Sequence, residues 1–266
     1  MVRGEVRLVG LALEAGGVKG FTHIATLKLL DMYDVRLNMI AGSSAGAIVG
    51  ALYAMYGDAD KVYEEFSTNV VSFMKDKSLK SSVPMFELVI KKALISLDDY
   101  YQFFKALFGR IKFSQLKTKL VVVAFDCENR ESMVIDEGFL VDAVLASCTV
   151  PGIFEPTYLC GTRVLDGGVL SPLPTEELKK RGMDRIIASI FNEEIPDYQT
   201  QFSLLSALDS IKNQEILKQE MQIADFVFDY PVQAEWSEFE RYESIYNEAL
   251  KIAMDRRDEF ENFLRR

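Results

Sequence analysis

Met39-Ile40-Ala41-Gly42-Ser43-Ser44-Ala45-Gly46 leads without a break into the stretch Ala47 to Tyr56. The first three residues are a short apolar run of the kind that forms a buried strand. The stretch from Ala47 is small and apolar on all sides, which predicts a buried helix. A GxSxG pentapeptide between strand and helix predicts a tight turn that pushes its central serine, Ser44, out of the sheet edge. Gly42 and Gly46 suit that turn because a β-carbon at either position would meet neighbouring backbone. The helix also aims the positive end of its dipole at Ser44, favouring negative charge that forms there. The plainer alternative is a turn rich in glycine and serine, without chemistry.

The same alternation continues on either side. Arg7 to Leu13 reads as a strand, Glu14-Ala15-Gly16-Gly17 as a turn, and the chain from Val18 as a helix with Ile24, Leu27 and Leu30 on one side. Further strands are predicted at Leu120 to Phe125, Ser132 to Ile135, Arg163 to Leu165, Arg185 to Phe191 and Asp225 to Phe228. Helices are predicted at Glu137 to Ser147, Thr175 to Lys180, Ser203 to Lys218 and Glu238 to Leu264. Strands alternating with helices predict an α/β fold, a three-layer α/β/α arrangement with a mainly parallel central sheet. No repeat or low-complexity linker interrupts the chain, so a single domain over 1–266 is expected. It carries a helical, cap-like insertion at 75–119 and a mainly helical C-terminal part at 192–266.

Composition narrows the function. The 266 residues include 40 acidic and 30 basic side chains, a formal charge of −10, which argues against a nucleic-acid partner. The longest nearly uncharged apolar run, Ala45 to Tyr56, is shorter than the roughly 20 residues a membrane-spanning helix needs. Glu5, Arg7 and Glu14 break the only apolar stretch near the start, so no signal peptide is expected. Cys127, Cys148 and Cys160 form no CxxC pair, which fits a reducing compartment; a soluble, cytoplasmic protein is expected. The 75–119 segment is locally basic, with ten basic residues against four acidic ones, and rich in aromatics. It suits peripheral contact with a membrane surface, a cover over an apolar pocket, or plain packing on the core. In the C-terminal part Phe239, Tyr242, Tyr246, Ala249, Ala253, Phe260 and Phe263 form a stripe at helical spacing, suited to the domain's own core or to a dimer seam.

A serine at neutral pH needs a base within hydrogen-bond reach. The chain has one histidine, His23, about one turn into the first helix, where the positive helix end lowers imidazole basicity. A structural role is expected for it, which leaves a carboxylate as the base. Asp166, in Leu165-Asp166-Gly167-Gly168, ends a predicted strand, and the two glycines allow it close approach to another backbone. Taken alone, Asp-Gly is an ordinary turn. The turn Glu14-Ala15-Gly16-Gly17-Val18-Lys19-Gly20 offers successive backbone N–H groups at a helix start, an anion cradle for a phosphate or an ester oxyanion. No metal-ligating cluster is visible, and no cofactor is expected.

Together these motifs resemble the patatin-like phospholipase family: the glycine-rich turn at 15–20, GxSxG at 42–46 and DGG at 166–168 occur in the family's order. Ala146-Ser147-Cys148-Thr149-Val150-Pro151-Gly152-Ile153-Phe154-Glu155-Pro156 is similar to the family's segment before the aspartate. The likeness spans about residues 7 to 191. It implies a serine hydrolase of lipid acyl esters, with Ser44 as nucleophile and Asp166 as base. It places Gly16, Gly17 and Val18 in the oxyanion loop, with the Gly17 and Val18 N–H groups as donors, and Gly20, Gly42, Gly46, Gly167 and Gly168 as motif glycines. Ala15 stands where the family usually has glycine, and Lys19 matches a basic position without a catalytic role. The implied partner is a lipid or other acyl-ester substrate. The alternatives from other classes are a catalytically silent lipid-binding or regulatory module, and a nucleotide- or phosphate-binding protein using the glycine loop.

Overall fold

The computed structural model describes residues 7–76, 95–151, 153–191 and 201–266. Strand β1 (Val9–Leu13) buries Leu11, Ala12 and Leu13 completely, as an interior strand covered on both faces does. A 3₁₀ turn at Gly17–Lys19 leads into α1 (Gly20–Met32), and β2 (Met39–Ser43) returns parallel to β1 with Gly10 opposite Met39. Every residue from Ala45 to Ala54 of α2 (Ala45–Tyr56) is buried, as its apolar surface predicts. The side chain of Asp58 caps α3 (Ala59–Glu65), and a π-helical turn at Phe66–Val70 runs on into α4 (Val71–Asp76).

After α5 (Leu97–Phe108) come β3 (Lys119–Asp126), β4 (Glu131–Ile135) and α6 (Leu140–Ser147). Strands β5 (Thr157–Leu159) and β6 (Thr162–Asp166) precede α7 (Thr175–Lys180) and β7 (Arg185–Phe191). The chain closes with α8 (Gln201–Met221), β8 (Phe226–Tyr230), α9 (Tyr242–Asp255) and α10 (Arg257–Arg265).

The eight strands form one sheet ordered β5-β6-β3-β2-β1-β7-β8, with β4 also paired to β3. Strands β1, β2, β3, β7 and β8 run parallel, while β4, β5 and β6 add an antiparallel end. Side chains alternate between the faces. Leu11, Leu13, Ile40, Val122 and Ile187 pack with α1, α2, α9 and α10, while Ala12, Met39, Ala41, Val121 and Ala188 pack with α7 and α8. The result is the expected three-layer α/β arrangement.

The registers along β3 place the site. Its Val122 and Val123 pair with β2 and β4 at once, and its Ala124 to Asp126 pair with β4 and β6 at once. Strands β2 and β6 therefore lie end to end on one edge of β3, opposite β4. Because β2 runs parallel to β3 and β6 antiparallel, their C-terminal ends meet head on. Ser43 sits opposite Val123 and Asp166 opposite the next residue, Ala124.

Several sequence expectations change in detail. The helix expected from Glu137 starts at Leu140, because Gly138 takes a positive φ and its carbonyl accepts the Phe113 N–H. The helix expected over Glu238 to Leu264 is broken at Arg256, which bonds the Val227 carbonyl and lies over the Phe226 and Phe228 rings. That bend lets Phe260 and Phe263 cover β8, so the C-terminal stripe packs on its own domain. The expectations for 75–119 and 192–266 fall partly on 77–94 and 192–200, outside the described residues. In the described part of 75–119, Tyr100, Phe104, Leu107 and Phe108 of α5 are buried. Among the described residues no helix is long and apolar enough to cross a membrane.

Candidate active site

Ser44 joins β2 to α2 with φ 51° and ψ −120°, a conformation side chains rarely adopt, which costs about 1–3 kcal/mol and marks functional turns. The flanking glycines are sterically necessary. A β-carbon on Gly42 would lie 2.4 Å from the Gly46 carbonyl oxygen, and one on Gly46 would lie 2.3 Å from that of Leu13. A serine preceding a helix usually spends its hydroxyl capping the first turn, but the Ser44 hydroxyl makes no such bond. The backbone is held instead: the Ser44 N–H donates to Ser147 Oγ at 2.9 Å, and that hydroxyl donates to the Val123 carbonyl at 2.6 Å. Ser147 thus ties the turn to the middle of β3, opposite the end of β2.

Asp166 reaches the same place along β6. Beyond it the chain passes the middle of β3 so tightly that a β-carbon on Gly167 would sit 2.1 Å from the Val123 carbonyl oxygen and 3.0 Å from Ser43 Oγ. One on Gly168 would lie 3.0 Å from the Ala15 β-carbon. The three motifs therefore converge. The Asp166 carboxyl is only 7% exposed, and its Oδ1 accepts the Gly168 N–H at 2.8 Å. Its Oδ2 is buried without a hydrogen bond of full geometry. Burial pushes the carboxyl up to about 6; the Ser44 hydroxyl and the Gly168 N–H pull the other way.

The glycine turn lies across from this pair. The Ala15 N–H donates to the Pro172 carbonyl at 3.0 Å. Gly17 has φ +59°, and a β-carbon there would strike the Trp236 carbonyl oxygen at 2.3 Å. A β-carbon on Gly16 would fall within 1.9 Å of the Phe191 ring. Neither the Gly16 nor the Gly17 N–H makes a hydrogen bond among the described residues, and both residues line the cavity described below. The expectation for Val18 is corrected: its N–H donates to the Trp236 carbonyl at 2.8 Å, so it is not free to serve an oxyanion. Gly20 packs α1 closely on α2, its β-carbon position 3.2 Å from that of Ala45.

His23 is fully buried, and both ring nitrogens are engaged. Nε2 lies 2.8 Å from the Glu14 carbonyl and Nδ1 lies 2.9 Å from Ser189 Oγ. A carbonyl only accepts, so Nε2 carries the proton and Nδ1 accepts from Ser189. The contacts of Thr26 with Ser189 and of Tyr230 with Thr26 then run one way, Tyr230 donating to Thr26 and Thr26 to Ser189. Desolvation pushes the imidazole down to about 4, so it is neutral at pH 7. A second buried group, Glu14 with Lys19, carries no sequence signal of its burial. The Glu14 carboxylate accepts the Phe191 N–H at 2.9 Å and is raised by burial, while burial lowers the Lys19 ammonium to about 8.

Ser44, Asp166, Gly16 and Gly17 all border a cavity of about 830 Å³. Its apolar lining includes Ile48, Phe66, Val70, Phe73, Met74 and Phe104. These come from α2, the π-helical turn, α4 and α5. Lys212, Gln214 and Lys218 of α8, together with Leu217 and Met221 of the same helix and Asp229 of β8, also line it. Tyr100, whose hydroxyl donates to the Cys148 carbonyl at 2.7 Å, stacks on Phe154 between the apolar lining and the serine turn.

The chain resembles the lysophospholipase NTE1 of Candida albicans, 27% identical over 186 residues, which is 68% of this chain and 13% of that protein. It also resembles an uncharacterized NTE family protein of Mycobacterium tuberculosis, 29% identical over 184 residues, 69% of this chain and 49% of the relative. The chain thus spans about half or less of these relatives. Its fold is shared with VipD of Legionella pneumophila, with TM-score 0.53 and 14% identity over 94% of this chain and 67% of that one. The model of the patatin-like phospholipase family matches residues 11–179, well over half the sequence, and the chain belongs to that family.

Proposed function

We propose that this chain is a serine hydrolase of lipid acyl esters in which Asp166, not His23, activates Ser44. The observation that carries this reading is the head-on meeting of β2 and β6. It brings an uncapped serine hydroxyl to a buried carboxylate that keeps one oxygen free of any other bond. In the first step Ser44 Oγ attacks the ester carbonyl carbon while its proton passes to Asp166. The carbonyl oxygen becomes an oxyanion and receives the free Gly16 and Gly17 N–H groups, each worth about 2.7–4 kcal/mol of barrier by analogy with other acyl transfers. The C–O bond to the alcohol then breaks, and Asp166 returns the proton to the leaving oxygen. In the second step water gives a proton to Asp166 and attacks the acyl-serine carbonyl; the bond to Ser44 Oγ breaks, releasing the fatty acid, and Asp166 returns the proton to Oγ to restore the Ser44 hydroxyl.

A carboxylate near its ordinary pKa is a weak base, so the raised value of Asp166 serves this role. The acyl chain packs on the apolar lining and the headgroup faces α8 and the solvent. A single-chain lipid, as in a lysophospholipid, suits one chamber of this size. The three free thiols, Cys127, Cys148 and Cys160, suit a reducing, cytoplasmic setting. The test is hydrolysis of lysophospholipids against short soluble esters by wild type and Ser44→Ala. Release of fatty acid by wild type, abolished in the variant, is expected. A folded variant with wild-type turnover would overturn the assignment.

A further inference from the structure

We infer that Glu220, on α8 and outside the family-matched region, is a positioning residue that holds the serine turn and the glycine turn in register through the 171–173 loop. The inference rests on the roles proposed for Ser44 and Gly16–Gly17. The loop is the meeting point of the three motifs. The Ser171 carbonyl accepts the Ser43 hydroxyl at 2.6 Å, one residue before the nucleophile. The Pro172 carbonyl accepts the Ala15 N–H at 3.0 Å, at the start of the oxyanion turn. The Ser171 N–H donates to the Gly167 carbonyl at 3.0 Å, next to Asp166. No strand ladder supports this loop, and Pro172 has no N–H to give.

Glu220 supplies the missing anchor. Its Oε1 accepts the Ser171 hydroxyl at 2.6 Å, its Oε2 accepts the Leu173 N–H at 2.7 Å, and its own carbonyl accepts the Thr175 hydroxyl at 2.6 Å. Leu173 and Thr175 are fully buried, so the Leu173 N–H has no water to replace a lost partner. Both backbone tethers to the site leave from residues that Glu220 fixes or flanks. Burial also pushes this carboxyl up to about 7, and the two bonds it accepts lower it. The geometry, not the charge, does the positioning. A glutamine can reproduce it, keeping the Leu173 N–H on Oε1 and donating to Ser171 Oγ from its amide.

Glu220→Ala and Glu220→Gln test this. Loss of alignment in a catalytic site costs up to about 10²-fold in turnover. Glu220→Ala is therefore expected to lower kcat by ten- to a hundredfold with KM within about twofold, and Glu220→Gln to restore kcat to within about threefold of wild type. Hydrogen exchange read by peptide gives a second readout that needs no activity. Amides of 14–19 and 42–46 should exchange faster in Glu220→Ala and at the wild-type rate in Glu220→Gln, with α9 and α1 unchanged in both. An alanine variant with wild-type kcat, or one whose faster exchange spreads evenly over the molecule, would overturn the inference, as would a glutamine variant as impaired as alanine. If Ser44→Ala keeps full activity in the same assay, the catalytic reading fails while the exchange data still decide the role of Glu220.

Discussion

His23 and Asp166 are both buried beside the glycine turn, yet the proposed reaction uses only one of them. Desolvation moves each toward its neutral form, the imidazole down to about 4 and the carboxyl up to about 6. The difference lies in satisfaction. Both nitrogens of His23 are spent, in a one-way hydrogen-bond chain that fixes the Glu14 carbonyl. Asp166 spends one oxygen on Gly168 and keeps the other unpaired. Burial with complete pairing makes a structural group; burial with one acceptor left open makes a base.

The largest expected effect breaks that comparison directly. Asp166→Asn should lower kcat by about 10²–10⁴-fold, the usual worth of a general base, whereas His23→Asn should stay within about tenfold of wild type. Steady-state kinetics on one soluble ester would check both. Next comes the oxyanion turn. Gly17→Ala would drive a methyl into the Trp236 carbonyl and displace the N–H proposed to hold the oxyanion, for an expected loss of about 10²–10³-fold in kcat.

Stability should move the opposite way to activity. Asp166 has its folded pKa raised from 3.8 to about 6, so the folded state holds this proton more tightly than the unfolded chain. Its contribution is intact below 3.8, is lost as pH rises to about 6, and is a constant cost above that. At 1.36 kcal/mol per unit the cost is roughly 3 kcal/mol. Asp166→Asn should therefore be more stable than wild type at pH 8, with the gap closing toward pH 4, as denaturant unfolding at the two pH values would show. The smallest effect expected is at Ser189: Ser189→Ala leaves His23 Nδ1 without its donor and the Thr26 hydroxyl without its acceptor, while Tyr230 still donates to Thr26, for a loss of about 1–3 kcal/mol of stability with kcat little changed.

Much of this site is legible in the sequence because it is local. The strand, GxSxG and the apolar helix are contiguous, and a lone histidine inside the first helix reads as structural. The parts that are not legible all depend on distant partners. Nothing near Val18 announces that the Trp236 carbonyl will take its N–H, and nothing near Glu220 announces the 171–173 loop. The sheet pattern predicts parallel strands correctly, but the antiparallel return of β6 on the same edge of β3 as β2 is a matter of register. That register is what brings Asp166 to Ser44. Strand β5 is only three residues long, with Tyr158 exposed, and leaves little periodic signal. The C-terminal bend is set by Arg256 against β8, a contact between strand and helix that periodicity does not contain.

The central claim is that the free oxygen of Asp166, and no imidazole, activates Ser44. The direct measurement is the rate at which a fluorophosphonate modifies Ser44 as a function of pH, in wild type, Asp166→Asn and His23→Asn. The rate should rise through about pH 6 and then level off in wild type and in the folded His23 variant, and should be slow at every pH in Asp166→Asn. Wild-type labelling of Asp166→Asn, or loss of labelling confined to a folded His23→Asn, would contradict it.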